Sequence, residues 1–129
     1  MSALILDSSV VLAAILGERG GDDVFDRLEE AAISTVNVAE VYTYAAINSL
    51  STLAIDAFFE ETEIEVVPFS HEQALVAGRI AAITKTSGLS LGDRSCLALA
   101  IVRDGEVLTA DHPWEKIAGA VGLKITMLR

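Results

Sequence analysis

The chain has 129 residues, 52% of them hydrophobic, with two prolines and a formal charge of −10. Such a composition excludes a disordered chain and suits one domain over 1–129, which at this size buries roughly two-thirds of its unfolded surface. Its longest apolar runs, Val10–Leu16 and Cys96–Val102, fall short of the ~18–20 residues of a spanning helix, so no membrane partner is expected. Ala3–Leu6 reads as a short buried strand. Ser8 or Ser9 is placed to cap a helix over Val10–Leu16, with Gly17 as its stop. After Gly20 and Gly21, Asp22–Ala32 reads as an acidic amphipathic helix with Val24, Phe25, Leu28 and Ala32 inward. A second strand is expected over Ile33–Val36. Asn37 and Glu40 match a capping box, opening a helix that runs to about Ile47.

Asn48–Ser51 reads as a tight break before a helix over Thr52–Thr62, with Leu53, Ile55, Phe58 and Phe59 apolar. Ile64–Pro68 is a third strand, and His71–Thr86 an Ala-rich helix ended by Gly88. Gly78 inside that helix costs about 1 kcal/mol relative to Ala, which suggests close packing against a neighbour. Ser90 and Asp93 form another capping box, leading into Ser95–Arg103, apolar nearly all round and so expected mid-domain. Asp104-Gly105 turns into a strand over Glu106–Ala110. Asp111 starts a short helix with Pro113 in its first turn, and Lys124–Leu128 is the last strand. Strands alternating with helices imply an α/β fold, a three-layer α/β/α arrangement with a mainly parallel central sheet.

The charge is uneven: residues 1–78 carry a net −12 and residues 79–129 a net +2. That disfavours nonspecific duplex binding through a basic face, and leaves room for a short substrate held through metal ions or for a basic protein partner. Cys96 is the lone cysteine; set in an apolar run, it reads as a buried thiol. The N-terminus has no basic stretch of the kind that starts a signal peptide, so a cytoplasmic location is expected.

Asp7, Glu40, Asp93 and Asp111 stand where apolar segments end or helices begin. Taken singly, each also has a helix-capping explanation. Taken together they are four acids at one expected edge of a parallel sheet, where ligand sites form. Oxygen donors of this kind suit Mg²⁺ or Mn²⁺, and no Cys or His cluster offers a zinc alternative.

Four fragments carry a resemblance: Leu4-Ile-Leu-Asp7-Ser-Ser9, Asn37-Val-Ala-Glu40-Val, Leu91-Gly-Asp93-Arg-Ser-Cys-Leu-Ala-Leu-Ala100 and Leu108-Thr-Ala-Asp111. In that order and spacing, along essentially the whole chain, they resemble PIN-domain ribonucleases, and most of all the VapC-type toxins of toxin–antitoxin pairs. The resemblance implies a Mg²⁺- or Mn²⁺-dependent endoribonuclease that hydrolyses RNA phosphodiester bonds with a metal-activated water. Asp7, Asp93 and Asp111 would hold metal, Glu40 would complete the catalytic set, and Ser9 and Thr109 would orient a carboxylate or a water. It also implies a homodimer and a cognate antitoxin bound along the helices around Tyr42, Tyr44, Leu53, Phe58 and Phe59. Arg94 reads as a surface ion-pair residue, His112 as a solvent-exposed histidine, His71 as a helix-start residue and Trp114 as core. Two alternatives stand beside this reading: another metal-dependent phosphate hydrolase, such as a phosphatase with an Asp nucleophile, and a non-catalytic acidic-pocket binding module. The first wants an acid where Ser9 stands; a receiver module wants an extra acidic pair near the first strand.

Overall fold

The computed structural model describes residues 4–129, apart from the His112 side chain. The expected strand residue Ala3 and the side chain expected of His112 therefore lie outside the described residues. Five short strands form the sheet: β1 (Leu4–Leu6), β2 (Ala31–Ser34), β3 (Glu65–Val67), β4 (Glu106–Thr109) and β5 (Ile125–Met127). Their order is β3-β2-β1-β4-β5, and every neighbouring pair is parallel. Among the described residues seven α-helices accompany them: α1 (Ser8–Leu16), α2 (Gly21–Phe25), α3 (Thr35–Ile47), α4 (Leu53–Glu61), α5 (His71–Thr84), α6 (Leu91–Arg103) and α7 (Ala118–Val121).

Side-chain alternation divides the core into two faces. Leu4 and Leu6 of β1, Ile33 of β2 and Leu108 of β4 pack with α1, α3 and α4. Ile5, Ala32 and Val107, the intervening residues, pack with Cys96, Leu97 and Leu99 of α6 and with Trp114. Strands buried on both faces explain why β1 is continuously apolar. The result is three layers, as expected. Among the described residues no helix is long and apolar enough to cross a membrane.

Several local expectations are corrected. The helix expected over 22–32 stops at Phe25; a 3-10 turn follows over Leu28–Glu30, and Ala31 and Ala32 enter β2. All four β2 residues are buried, so the demand of the sheet centre overrides the helix propensity of the alanines. Gly21 seats α2 against α1, since a Cβ there would overlap the Ala13 carbonyl. Phe25, expected inward, is half exposed and meets Phe58 edge-on at 5.8 Å. Of the apolar residues expected on α4, Ile55 and Phe58 are buried and Leu53 is 76% exposed. Gly78 has nothing within 4 Å of where a Cβ would stand, so close packing does not explain it. Trp114 is fully buried, as expected. His71 opens α5 behind the Ser70 cap.

Order 3-2-1-4-5 means that β1 has β2 on one side and β4 on the other, and the chain leaves β1 and β4 in opposite directions across the sheet. The carboxyl ends of β1 and β4 therefore flank a topological switch point, where a crevice opens.

Candidate active site

Asp7 ends β1 at that crevice. It is the N-cap of α1, the role expected of Ser8 or Ser9, and its Oδ1 accepts from Val10 N at 3.3 Å. Ser9 donates to Oδ1 at 2.5 Å and Thr109 to Oδ2 at 2.8 Å. The same hydroxyls stitch β1 to the segment after β4: Ala110 N donates to Ser9 Oγ at 3.0 Å, and Asp111 N to Thr109 Oγ1 at 3.0 Å. Both residues expected to orient a carboxylate thus touch one. Asp7 is only 5% exposed. Burial pushes its carboxyl up to about 6, against the lowering effect of the three hydrogen bonds, and the charge of Asp93 adds to the rise.

Asp93 stands in the first turn of α6, where it completes the expected capping box: Ser90 N donates to Asp93 Oδ2 at 2.9 Å, and Asp93 N to Ser90 Oγ at 3.1 Å. Asp111 occupies the N-cap position of the 3-10 turn His112–Ile117, but its side chain makes no cap hydrogen bond. Asp7, Asp93 and Asp111 line one open pocket of about 370 Å³ together with Ser9, Tyr44 and Arg129.

Glu40 does not line that pocket. The capping box expected at Asn37 is absent, because α3 is capped three residues earlier, by Ser34. Asn37 is buried instead, and its amide Nδ2 donates to Glu40 Oε1 at 2.7 Å and to the Gly92 carbonyl at 3.0 Å. Glu40 is thereby held against the first turn of α6. Cys96 registers three of the four acids: its buried thiol is pushed well above its ordinary range by desolvation, then by the charges of Asp7, Asp93 and Glu40.

The capping explanation therefore holds for Asp7 and Asp93 and fails for Glu40 and Asp111. Arg94, expected in a surface ion pair, instead donates from Nη1 to the Ala77 carbonyl at 2.9 Å and ties α6 to α5. Sequence reading missed Asn37, Gly92 and Arg129 as neighbours of the site. Asn37 had a signal: with Val41 and Ala45 it falls on the buried stripe of α3, an unusual place for an amide.

A model of the PIN domain family matches residues 4–120. The chain belongs to the PIN domain family. This PIN domain shares its fold with the DNA-bound VapBC of Salmonella typhimurium, at 18% identity and a TM-score of 0.80 over 100% of both chains. It matches a toxin–antitoxin complex from Klebsiella pneumoniae at 19% identity and a TM-score of 0.72, over 98% of each chain. A member of the VapBC family of toxin–antitoxin systems from Mycobacterium tuberculosis matches at 21% and 0.65, again over 98% of each. No curated protein matches the chain.

Across the outer faces of α1, α3 and α4 runs a second, apolar cavity of about 230 Å³, lined by Leu12, Ile15, Leu16, Tyr44, Leu50 and Ile55. Leu12, Leu16 and Tyr44 belong to both hollows, so the apolar cavity adjoins the acidic pocket. Ile47 at the end of α3 and Leu53 at the start of α4 are each 76% exposed. Tyr42 is held differently from Tyr44: its hydroxyl donates to Asp56 at 2.5 Å, a bond that pushes it up to about 12.

Proposed function

We propose that this single-domain PIN protein is a divalent-metal-dependent endoribonuclease, the toxin of a toxin–antitoxin pair. The observation that carries the reading is the convergence of Asp7, Asp93 and Asp111 on one pocket at the switch point, with Asp7 buried and its carboxylate accepting from Ser9, Val10 and Thr109. An all-oxygen donor set fits Mg²⁺ or Mn²⁺ in kind. Among the described residues no three His, Cys, Asp or Glu side chains stand close enough to grip one ion together. An ion held here would keep water and substrate phosphate in its shell, as Mg²⁺ commonly does.

Asp7, Asp93 and Asp111 would hold the ion, in part through its own waters. Bound there, it supplies polarisation of a phosphoryl oxygen and a lowered pKa for the attacking water. The chain's own contribution is orientation. Ser9 and Thr109 fix the two oxygens of Asp7, and the Thr109 hydroxyl also fixes the backbone that carries Asp111. Ser90 fixes Asp93. Asp7 must lose its proton to attract a cation, so activity falls as pH drops through about 6.

The fold relatives described as toxin–antitoxin complexes support an antitoxin as partner, and the apolar cavity beside the acids suits the apolar face of a ligand helix. The same exposed helices around Ile47 and Leu53 suit a homodimer contact. An Asp-nucleophile phosphatase has no observation in its favour: Ser9 stands where its second acid is needed, and hydrogen-bonds to Asp7.

The test is RNA cleavage by the purified protein in Mn²⁺, with EDTA, Asp7→Asn and Asp93→Asn as controls. Cutting that stops in all three controls supports the reading; cutting that survives them sinks it.

A further inference from the structure

Asn37 is 1% exposed, and the oxygen of its amide is buried without a hydrogen-bond partner. Buried amides ordinarily have both ends satisfied. Turning this amide over would set Oδ1 against the Glu40 carboxylate and the Gly92 carbonyl, three acceptors with no proton among them. Its orientation is therefore fixed by its two acceptors. The fold retains an unmet carbonyl and gains two bonds, one to Glu40 within α3 and one to Gly92 that joins α3, from one face of the sheet, to α6, from the other.

Gly92 points to the same carboxylate independently. It lies in the first turn of α6, next to Asp93, and is buried. It is not among the positive-φ glycines, so its backbone has no need of glycine. A Cβ there would overlap Glu40, whose Oε2, Cδ and Oε1 are the three nearest atoms. What excludes a side chain at position 92 is the carboxylate of Glu40.

We propose that Asn37 and Gly92 form a seat that positions Glu40 beside Asp93. This deepens the nuclease reading above and rests on it for its catalytic consequence. Both are positioning residues: Asn37 aims the carboxylate through a hydrogen bond, and Gly92 leaves the space it fills. Because the obstructed atoms are the end of a flexible side chain, a methyl at 92 displaces Glu40 without breaking the helix. An alanine in place of a helical glycine favours the helix itself, so fold and activity should part company in this variant.

The experiment uses the full chain with Gly92→Ala, Asn37→Asp and Asn37→Ala, each alone and combined with Glu40→Ala. Gly92→Ala should melt at or above the wild-type temperature, yet lower kcat for Mn²⁺-dependent RNA cleavage at least tenfold with KM within threefold. Asn37→Asp, of the same shape but without the amide donors, should lose kcat similarly; Asn37→Ala replaces it if it fails to fold. Combined with Glu40→Ala, each change should cost less than a further twofold, since the group it positions is gone. A folded Gly92→Ala with full kcat, or equal losses with and without Glu40, overturns the proposal. A second arm needs no activity: in metal-free protein the Asn37 side-chain amide resonance should shift in both Gly92→Ala and Glu40→Ala. An unmoved resonance also overturns the seat. A wild type that cuts no RNA overturns the nuclease reading alone, leaving the resonance arm to judge the seat.

Discussion

The two edges of the sheet handle negative charge in opposite ways. At the amino-terminal edge, Glu106 lies within 3.9 Å of Arg27 and 3.6 Å of Lys124, and Glu30 accepts from Arg27 at 2.6 Å, around a cleft of about 400 Å³. At the carboxyl-terminal edge, Asp7, Asp93 and Asp111 share a pocket whose lining includes one cation, Arg129, itself engaged with the Arg19 carbonyl and Glu18. At the first edge Glu30 and Glu106 meet cations of the chain itself. The other leaves a buried carboxyl pushed up to about 6. That contrast, cations against acids at one edge and hydroxyls against a buried acid at the other, is what the proposed metal site rests on.

The strongest break of this contrast is Asp7→Asn. Cleavage should fall by at least about a hundredfold, while the metal-free protein becomes more stable at neutral pH. The folded pKa of Asp7 is raised, so its contribution to stability is present below about pH 4 and is lost as pH rises through about 6. A shift of that size is worth about 3 kcal/mol at pH 7. Melting in EDTA should therefore show Asp7→Asn gaining on the wild type between pH 4 and 7. Parallel pH curves would contradict this.

Next in size is the response to metal. At pH 7.5, millimolar Mn²⁺ should raise the wild-type Tm, since a ligand that binds the folded form stabilises it by about 2.7 kcal/mol at a hundred times its Kd. The rise should vanish at pH 5 and in Asp7→Asn. Calorimetric scans with and without EDTA read both.

Thr109→Val removes a hydrogen bond that holds the Asp7 carboxyl down. The acid limb of the activity profile should move to higher pH, and metal affinity should weaken by about ten- to a hundredfold. An unmoved limb would reduce Thr109 to a turn former. Smallest is Lys124→Gln at the opposite edge. Its ammonium is largely exposed, so the change should alter stability by less than about 1 kcal/mol and leave cleavage intact. A loss of cleavage there would erase the distinction between the edges.

Much of this architecture is legible in the sequence. The five strands, the parallel sheet and the capping box at Ser90 all follow from apolar runs and spacing, because they are local signals. The 22–32 segment is misread because Ala31 and Ala32 carry no strand signal of their own; only their place between β1 and β3 makes them a strand. Asn37 is misread for a related reason. Its box with Glu40 has the right spacing, but Ser34 caps the helix three residues earlier, and the partner that explains the amide, Gly92, lies 55 residues away. The acids themselves are legible through their order. Their relation is not: the stitching of Asp7 to Thr109 and Ala110, and the setting of Glu40 behind the pocket, are products of tertiary contact.

The clasp on Asp7 spans almost the whole length of the polypeptide, with Thr109 lying 102 residues beyond the carboxylate it holds. A ribosome making about 5–20 residues per second emits the acid early and its clasp some 5–20 s later. Until then β1, the middle strand, lacks β4 as a neighbour, and Asp7 is an ordinary carboxylate on an unfinished sheet. The order of synthesis thus fixes when the two ends of the clasp can meet: only once β4 has been made can Thr109 close on Asp7.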